Sequence, residues 1–208
     1  MAHQASTAEH ARTSTGIDNR KLLMWLFLAS ECLFFGGLIG TYLLYRGASD
    51  VPPFPIDRTI DGVHFEGVYD IPFTSISAFI LLMSSVSMVL ALSAVQRNDR
   101  RGLQIWLAAT ALLDATFLAG QAFEFTAFYN EGLTLNSNLF GTTFFVLTGF
   151  HGAHVSVGVL ILLSLYVMAA RGRITHENSL NVELAGLYWH FVDVVWIVIF
   201  TLVYLVQT

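Results

Sequence analysis

The chain has 208 residues, of which 55% are hydrophobic and 12% charged, with a formal net charge of −5. Soluble domains carry about 25% charged residues, so this composition predicts a membrane protein. No basic patch with interleaved aromatic residues occurs, and nucleic-acid binding therefore has no support. The single cysteine, Cys32, cannot form an intrachain disulfide, and we expect it to be a small buried apolar residue.

The first segment, residues 1–21, is polar, and we expect a flexible tail on the cytoplasmic side. It lacks the short apolar core and the small-residue cleavage site of a signal peptide. It also contains Glu9 and Asp18 and only two arginines, which argues against a cleaved transit peptide.

Five apolar blocks follow, and each is long enough to cross a bilayer, which takes about 20 mostly apolar residues. Within a membrane domain of residues 22–208, the predicted spans are 22–45, 73–95, 103–125, 139–170 and 182–206. The blocks are too long for β-barrel strands and do not alternate in polarity. The predicted fold class is therefore an all-α bundle of five transmembrane helices.

The distribution of basic residues predicts the direction of the helices, because cytoplasmic loops carry an excess of Lys and Arg. Eight of the ten basic residues lie on one side: Arg12, Arg20, Lys21, Arg97, Arg100, Arg101, Arg171 and Arg173. The other side has Arg46 and Arg58 among six acidic residues. We expect the N-terminus in the cytoplasm and the C-terminus outside.

The loop of residues 47–71 is the one sizeable piece predicted outside the membrane. Pro52, Pro53 and Pro55 argue against a helix there. Its segment 51–55 either packs against a neighbouring protein or forms an extended surface loop.

Ionisable residues inside the predicted spans are functional candidates, because they are costly in hydrocarbon and usually face a partner or a cavity. Glu31 lies about ten residues into the first span, roughly 15 Å deep at a rise of about 1.5 Å per residue. Its carboxyl must be protonated or paired. A proton-linked or lipid-linked carboxyl and a structural hydrogen bond between helices are both consistent with this position.

His151 and His154 are three residues apart, which places them on one face of the fourth span. With His190 and Glu31 they would form a plausible metal or haem ligand set, although a buried, hydrogen-bonded histidine pair is the more common arrangement. Close approach of another helix is permitted here by two glycines, Gly149 and Gly152.

Two further polar pairs lie in the spans. His190 and Asp193 are three residues apart, and an aspartate that accepts from a histidine N–H would satisfy both groups and fix the ring tautomer. Gln121 and Glu124 form the second pair, near the outer end of the third span, where Glu124 can reach interfacial water. Asp114 lies deeper and has no obvious partner in the sequence.

Four stretches, in order along the chain, resemble signature sequences of subunit III of the haem-copper terminal oxidases, most closely cytochrome c oxidase subunit III. They are Ala29 to Phe35, Phe117 to Phe125, Gly141 to Val155 and Tyr188 to Trp196. The resemblance covers about Leu22 to Tyr204. It indicates the short, five-helix form of the family, which lacks the first two helices of the longer, seven-helix members.

The resemblance implies a subunit that is not itself catalytic, within a proton-translocating oxidoreductase of aerobic respiration. It implies no cofactor or metal in this chain, with haem and copper in the partner subunits I and II. A small subunit IV and a respiratory supercomplex are further expected partners. Phospholipid binding, stabilisation of the catalytic subunit and support of proton uptake are the implied roles, in a bacterial cytoplasmic membrane.

The resemblance also bears on single residues. Glu31 matches the interior glutamate of the family and would pair with a histidine of the 151/154 motif. The helix interface and lipid contacts would be shaped by His190, Asp193, Gln121 and Glu124. Three residues depart from the family pattern. Phe125 stands where many relatives have Tyr, and Leu187 stands where relatives often have Trp. Asp114 stands where a small residue such as Gly is expected. In longer members the two missing helices line part of the lipid cleft, so another subunit would close it here.

Several alternatives stay open. Quinol oxidase subunits often have Leu where this chain has Val192, so Val192 favours cytochrome c as the electron donor. A subunit of a nitric-oxide-reductase-type complex is less favoured. From other classes, a haem- or metal-binding membrane enzyme predicts stoichiometric metal in the isolated chain. A proton-coupled carrier predicts transport by the chain alone. Carriers of this kind often have interrupted helices at matching positions in two halves of the sequence, and this sequence has no such pattern.

Overall fold

The computed structural model describes residues 18–47, 51–175 and 178–206. Within these residues, the helices are α1 (Asn19–Tyr45), α2 (Ile71–Gln96), α3 (Arg100–Asn130), α4 (Leu139–Ala170) and α5 (Leu180–Phe200). A π-helical turn, Thr201–Leu205, continues α5. All five helices are long and apolar enough to cross a membrane. The predicted all-α membrane bundle is confirmed, whereas the division into tail and membrane domain stays a prediction, since residues 1–17 lie outside the described part.

Capping residues determine where the helices begin. Each of the first four helices follows an Asp or Asn whose side chain accepts a backbone N–H of the first turn: Asp18, Asp70, Asp99 and Asn138. Three of these helices therefore begin two or three residues before the apolar blocks do, and α3 also runs on to Asn130. Apolar content alone misses such polar end turns.

The helices α2 and α3 form an antiparallel pair, connected by a turn in which Asn98 has a φ of 60°. Helix α4 packs on α3, and α5 packs against α2 and α4. Helix α1 lies at the edge of the bundle, in contact with α4 and α5. Its buried residues, Leu28, Phe35 and Tyr42, are spaced by seven and form one narrow stripe.

Most of the α1 surface is apolar and faces away from the other helices. Leu33 and Leu44 are 81% and 77% exposed, as suits side chains that face lipid or a neighbouring protein. Cys32 is on this surface too and is exposed. The expectation that Cys32 is buried is wrong, because the buried stripe of α1 is too narrow to include it.

Contacts at both ends fix α1 parallel to α5. Lys21, in the first turn of α1, forms an ion pair with Glu183 in the first turn of α5. At the other end, Nη1 of Arg46 donates to the carbonyl oxygens of Leu202 and Val206, at 3.3 Å and 2.7 Å. Both helices therefore start at the same end of the bundle, as the predicted topology requires, while the cytoplasmic assignment of that end stays a prediction.

The loop after α1 contains a β-hairpin that the sequence analysis missed. Strands β1 (Arg58–Ile60) and β2 (Val63–Phe65) pair antiparallel across Asp61 and Gly62, whose φ values are 51° and 81°. Two residues with positive φ are typical of a tight hairpin turn, and the Asp-Gly dipeptide was its signal.

The proline-rich segment before the hairpin packs against its own chain. Phe54 is buried and its ring contacts Phe65 edge to face, with 5.6 Å between centroids. The side-chain amide of Asn138 donates to the carbonyl oxygens of Val51 and Pro53. The loop is thereby attached to the start of α4.

Glycines allow two close approaches to α4. A Cβ on Gly158 would lie 2.7 Å from Cε3 of the fully buried Trp189 and closer still to Cζ3, and a Cβ on Gly152 would lie 2.6 Å from Oε1 of Gln121. Gly149 has no such neighbour within 4 Å. The expected close approach therefore occurs at Gly152 but not at Gly149.

We predict that Gly158→Ala destabilises the bundle by about 1–3 kcal/mol, because the added methyl group overlaps a buried ring that cannot move aside. Gly149→Ala is the matched control on the same helix and should be neutral or slightly stabilising. Unfolding of both variants in detergent, followed by tryptophan fluorescence, measures the difference. Equal stability of the two variants would contradict the packing described here.

A carboxyl–histidine pair beside an apolar groove

Glu31 and His154 meet across the interface between α1 and α4. The Oε2 atom of Glu31 lies 3.2 Å from Nε2 of His154, and both side chains are mostly, but not completely, buried, with exposures of 17% and 19%. Phe35 packs edge to face on the His154 ring, with 5.0 Å between centroids. Of the two histidines of the motif, the structure therefore pairs Glu31 with His154.

The other ring nitrogen of His154 defines the chemistry of this pair. Its Nδ1 lies 2.8 Å from the carbonyl oxygen of Phe150, which can only accept, so Nδ1 carries a hydrogen. Nε2 then faces Glu31 either as part of an imidazolium beside a carboxylate or as an acceptor from a carboxylic acid. In both forms a single hydrogen lies between the two groups.

An apolar groove of about 620 Å³ opens beside this pair, between α1, α4 and α5. Phe27, Ala153 and Leu184 are among its lining residues, and Glu31 and His154 are among the polar ones. The remaining edges of the pair can therefore be reached from the groove. Tyr188 also lines the groove, and its hydroxyl donates to the His154 carbonyl oxygen at 2.9 Å.

His151 has different surroundings, although it is only three residues from His154. Its ring is fully buried and stacks on Trp196, with 4.8 Å between centroids. Nε2 lies 3.3 Å from the carbonyl oxygen of Val192, to which it donates, and Nδ1 has no hydrogen-bond partner. The two histidines thus contact different helices and do not form a pair.

Gln121 and Glu124 both contribute to packing of α3. The amide of Gln121 donates to the carbonyl oxygen of Thr148 at 2.9 Å, and Glu124 accepts from the Thr74 hydroxyl at 2.6 Å. Tyr69, in the loop before α2, lies nearby, and burial raises the pKa of its hydroxyl well above the ordinary range. These contacts connect α3 to α4 and α2.

His190 and Asp193 do not bond each other. The Nδ1 atom of His190 lies 2.6 Å from the Ser85 hydroxyl on α2, and neither carboxyl oxygen of Asp193 has a hydrogen-bond partner. The expected direct contact is wrong because the imidazole is satisfied by the neighbouring helix instead.

The predicted candidate residues therefore lie in separate places on several helix interfaces. Within residues 18–47, 51–175 and 178–206, no cluster of three or more His, Cys, Asp and Glu side chains is arranged to hold a metal ion. His154 and Glu31 bind each other, while His151 and His190 bond to α5 and α2. The four side chains considered as a ligand set are not brought together.

Serines on α2 are the polar residues that the sequence analysis missed. Ser84 accepts from the indole N–H of Trp189 at 2.9 Å and donates to the Leu81 carbonyl oxygen, and Ser85 bonds His190. The signal was the run Ser84-Ser85-Val86-Ser87 inside an apolar helix. Hydroxyl groups are cheap to bury when they bond the preceding turn, so they attract less attention than charged residues.

The fold and these contacts define a multi-pass membrane protein whose ionisable side chains bind across helix interfaces. The family model of cytochrome c oxidase subunit III matches residues 3–208. The chain belongs to this family, and is thus similar throughout its length to subunits of terminal oxidase complexes. The family resemblance identified from the four sequence stretches is confirmed.

Curated relatives include subunits of two kinds of oxidase. Cytochrome c oxidase subunit 3 of Synechocystis sp. is 42% identical over 90% of this chain and 76% of its own length. Cytochrome c oxidase subunit 3 of Thermostichus vulcanus is 36% identical over 96% of each chain. The probable quinol oxidase subunit 3 of Staphylococcus saprophyticus is 33% identical over 99% of this chain and 97% of its own length. The chain is thus a subunit of an oxidoreductase complex.

We predict that Glu31→Leu loosens the contact between α1 and α4 by about 1–3 kcal/mol, because it leaves Nε2 of His154 without its partner. The loss of stability should fall near the lower end of this range, since the His154 ring is partly exposed. Glu31→Gln retains hydrogen-bonding capacity and serves as the isosteric control. Thermal stability of the purified complexes and their yield measure the effect, and equal values for Glu31→Leu and the wild type would contradict it.

Proposed function

We propose that this chain is the accessory subunit III of an aerobic, proton-translocating oxidase that takes electrons from cytochrome c. In this role it binds phospholipid, stabilises the catalytic subunit and supports proton uptake during oxygen reduction, without catalysing the reaction itself. The observation that carries the proposal is the Glu31–His154 pair, which lies beside an apolar groove.

The pair is suited to proton uptake by its chemistry and its exposure. A carboxyl and an imidazole that share a proton can accept another from one side and release one to the other without a large charge change. Both side chains are partly exposed, so the pair is not sealed inside the packed core. Proton capture limits the rate most at alkaline pH, where protons are scarce.

The groove is suited to a phospholipid. Its walls are mainly apolar side chains of α1, α4 and α5, which match acyl chains, and Asn181 at the start of α5 lies at the end where a headgroup would sit. Since the groove is open to one side, a lipid bound there would extend the surface of α1 toward a neighbouring subunit. This contact is the means by which we expect the chain to stabilise the complex.

The expected partners are the catalytic subunit I, subunit II and a small subunit IV, in the cytoplasmic membrane of a bacterium and as part of a supercomplex. Haem and copper would be held by subunits I and II. Cytochrome c is favoured as the donor by Val192 and by the higher identity to the two cytochrome c oxidase subunits. A quinol oxidase is the second candidate, favoured by relatives of that kind that cover nearly the whole chain.

We predict that the complex purified through this chain consumes oxygen with reduced cytochrome c, and that removal of the chain slows turnover at alkaline pH more than at acidic pH. Haem content should stay unchanged. Oxygen-electrode rates with reduced cytochrome c and with a quinol, across the pH range, measure both effects. Identical pH profiles with and without the chain would contradict the role in proton uptake, and turnover with quinol alone would assign the second candidate.

We further predict that Ala153→Phe fills the groove and lowers the amount of phospholipid that co-purifies with the complex. Ala115→Phe, at an exposed position on α3 away from the groove, is the matched control. Lipid extraction and phosphate analysis of both variants measure the bound lipid. Unchanged lipid content in Ala153→Phe would contradict lipid binding in this groove.

A further inference from the structure

Two short turns at one end of the bundle carry five arginines. One turn, residues 97–101, joins α2 to α3, and the other, residues 171–173, leads from α4 toward α5. All five side chains are exposed, and together we call them the arginine patch: Arg97, Arg100, Arg101, Arg171 and Arg173. The patch lies at the end of the bundle at which α1 and α5 start.

Contacts between the two turns bring these arginines together. The Nε2 atom of Gln104, on α3, donates to the carbonyl oxygen of Ala169 at 3.2 Å. The guanidinium group of Arg100 packs on Gly172, since a Cβ added to that glycine would lie 3.0 Å from Cζ of Arg100. Gly172 has a φ of 70°, which favours glycine, and the residues on both sides of it are arginines. Arg100 is therefore a neighbour of the second turn.

Little negative charge accompanies the patch. In residues 97–101 and 171–173 the one acidic residue is Asp99, whose Oδ1 atom accepts the backbone N–H of Gly102 at 2.9 Å as the cap of α3. None of the five guanidinium groups forms an ion pair with a residue that the structure describes. Like charges held near each other repel, so the patch favours an anion from outside the chain.

Membrane topology accounts for the sign of these charges but not for their arrangement. Basic residues orient spanning helices by their number in the cytoplasmic turns. This rule does not require Arg100 of one turn to pack on the other turn. Arg100 and Arg101 also lie in the first turn of α3, where the helix dipole disfavours a positive charge. An anionic ligand of the patch explains both features.

The level of the patch in the membrane indicates which anion is available. With 26 and 31 residues, α2 and α3 are long enough to cross a bilayer with its headgroup regions, which together measure roughly 40–45 Å. The turn between these helices therefore lies among the phosphates of one leaflet. Guanidinium groups bind phosphate oxygens through two parallel N–H···O hydrogen bonds.

We propose that the arginine patch binds the headgroups of anionic phospholipids in the leaflet at this end of the bundle, and selects them over zwitterionic lipids. Clusters of basic residues next to spanning helices are suited to this role, because each adds to the attraction of an anionic headgroup. No residue of the patch lines the apolar groove, so the site does not depend on a lipid bound there.

Titration of the intact, detergent-solubilised oxidase complex with phosphatidylglycerol and with phosphatidylcholine tests this site. The ratio of the two dissociation constants measures the preference for an anionic headgroup. One variant combines Arg100→Gln with Arg173→Gln and removes two charges, and a matched variant combines Arg100→Lys with Arg173→Lys and keeps both. Arg58→Gln is the control at the opposite end of the bundle. All three side chains are exposed, so the complexes should assemble.

We expect the glutamine variant to lower the preference for phosphatidylglycerol by about fivefold for each charge removed. The lysine variant should keep most of the preference, and Arg58→Gln should leave it unchanged. A wild-type preference in the glutamine variant would overturn the proposal. An equal loss in Arg58→Gln would also overturn it, because net charge would then determine the preference. Loss of a subunit from the glutamine variant, with lipid preference unchanged, would assign the patch to an acidic protein surface instead.

Discussion

The hydrocarbon around a membrane bundle offers no hydrogen bonds, and the internal order of this chain follows from that constraint. A polar side chain on a spanning helix is stabilised by a partner on another helix or on its own backbone. In this bundle, Glu31 connects α1 to α4, Gln121 connects α3 to α4, and Ser85 connects α2 to α5. The polar residues thus specify which helices are neighbours, although they are fewer than the apolar residues.

Apolar packing then fits around these polar contacts. Trp189 illustrates the relation, since its indole N–H is bonded to Ser84 while its ring lies against the bare backbone of Gly158. A hydrogen bond fixes the orientation of the ring, and a glycine provides the space for it. Van der Waals packing of this kind replaces the hydrophobic effect, which has little to contribute between helices that are already in lipid.

Much of the fold could be predicted from the sequence because a spanning helix has a simple signature. Five apolar blocks gave five helices, and the depth of Glu31 indicated that it would have a partner. Spacing along one helix was a poorer guide to contacts between helices. His190 and Asp193 share a helix face, but the imidazole bonds Ser85, because a partner on a facing helix was better placed. The helix starts and the hairpin depend on capping and turn residues, which hydropathy does not register.

The ionisable side chains of the bundle lie in two separate places. The Glu31–His154 pair lies at an open edge, whereas Asp114 and Asp193 are enclosed by α2, α3 and α5. Groups at an edge can be contacted by a neighbouring protein. Enclosed groups respond only to changes transmitted through the bundle. Carboxyl groups therefore have two different environments within one small protein.

The stripe of Leu28, Phe35 and Tyr42 has a geometrical consequence for α1. A repeat of seven residues brings the same side of a helix back at each second turn, so α1 contacts its own bundle along one line and leaves most of its circumference apolar and unoccupied. A helix of this kind can be shared between two bundles without any rearrangement of either. Glu31 is located next to that line, and its carboxyl consequently lies at the boundary of the subunit rather than in its interior.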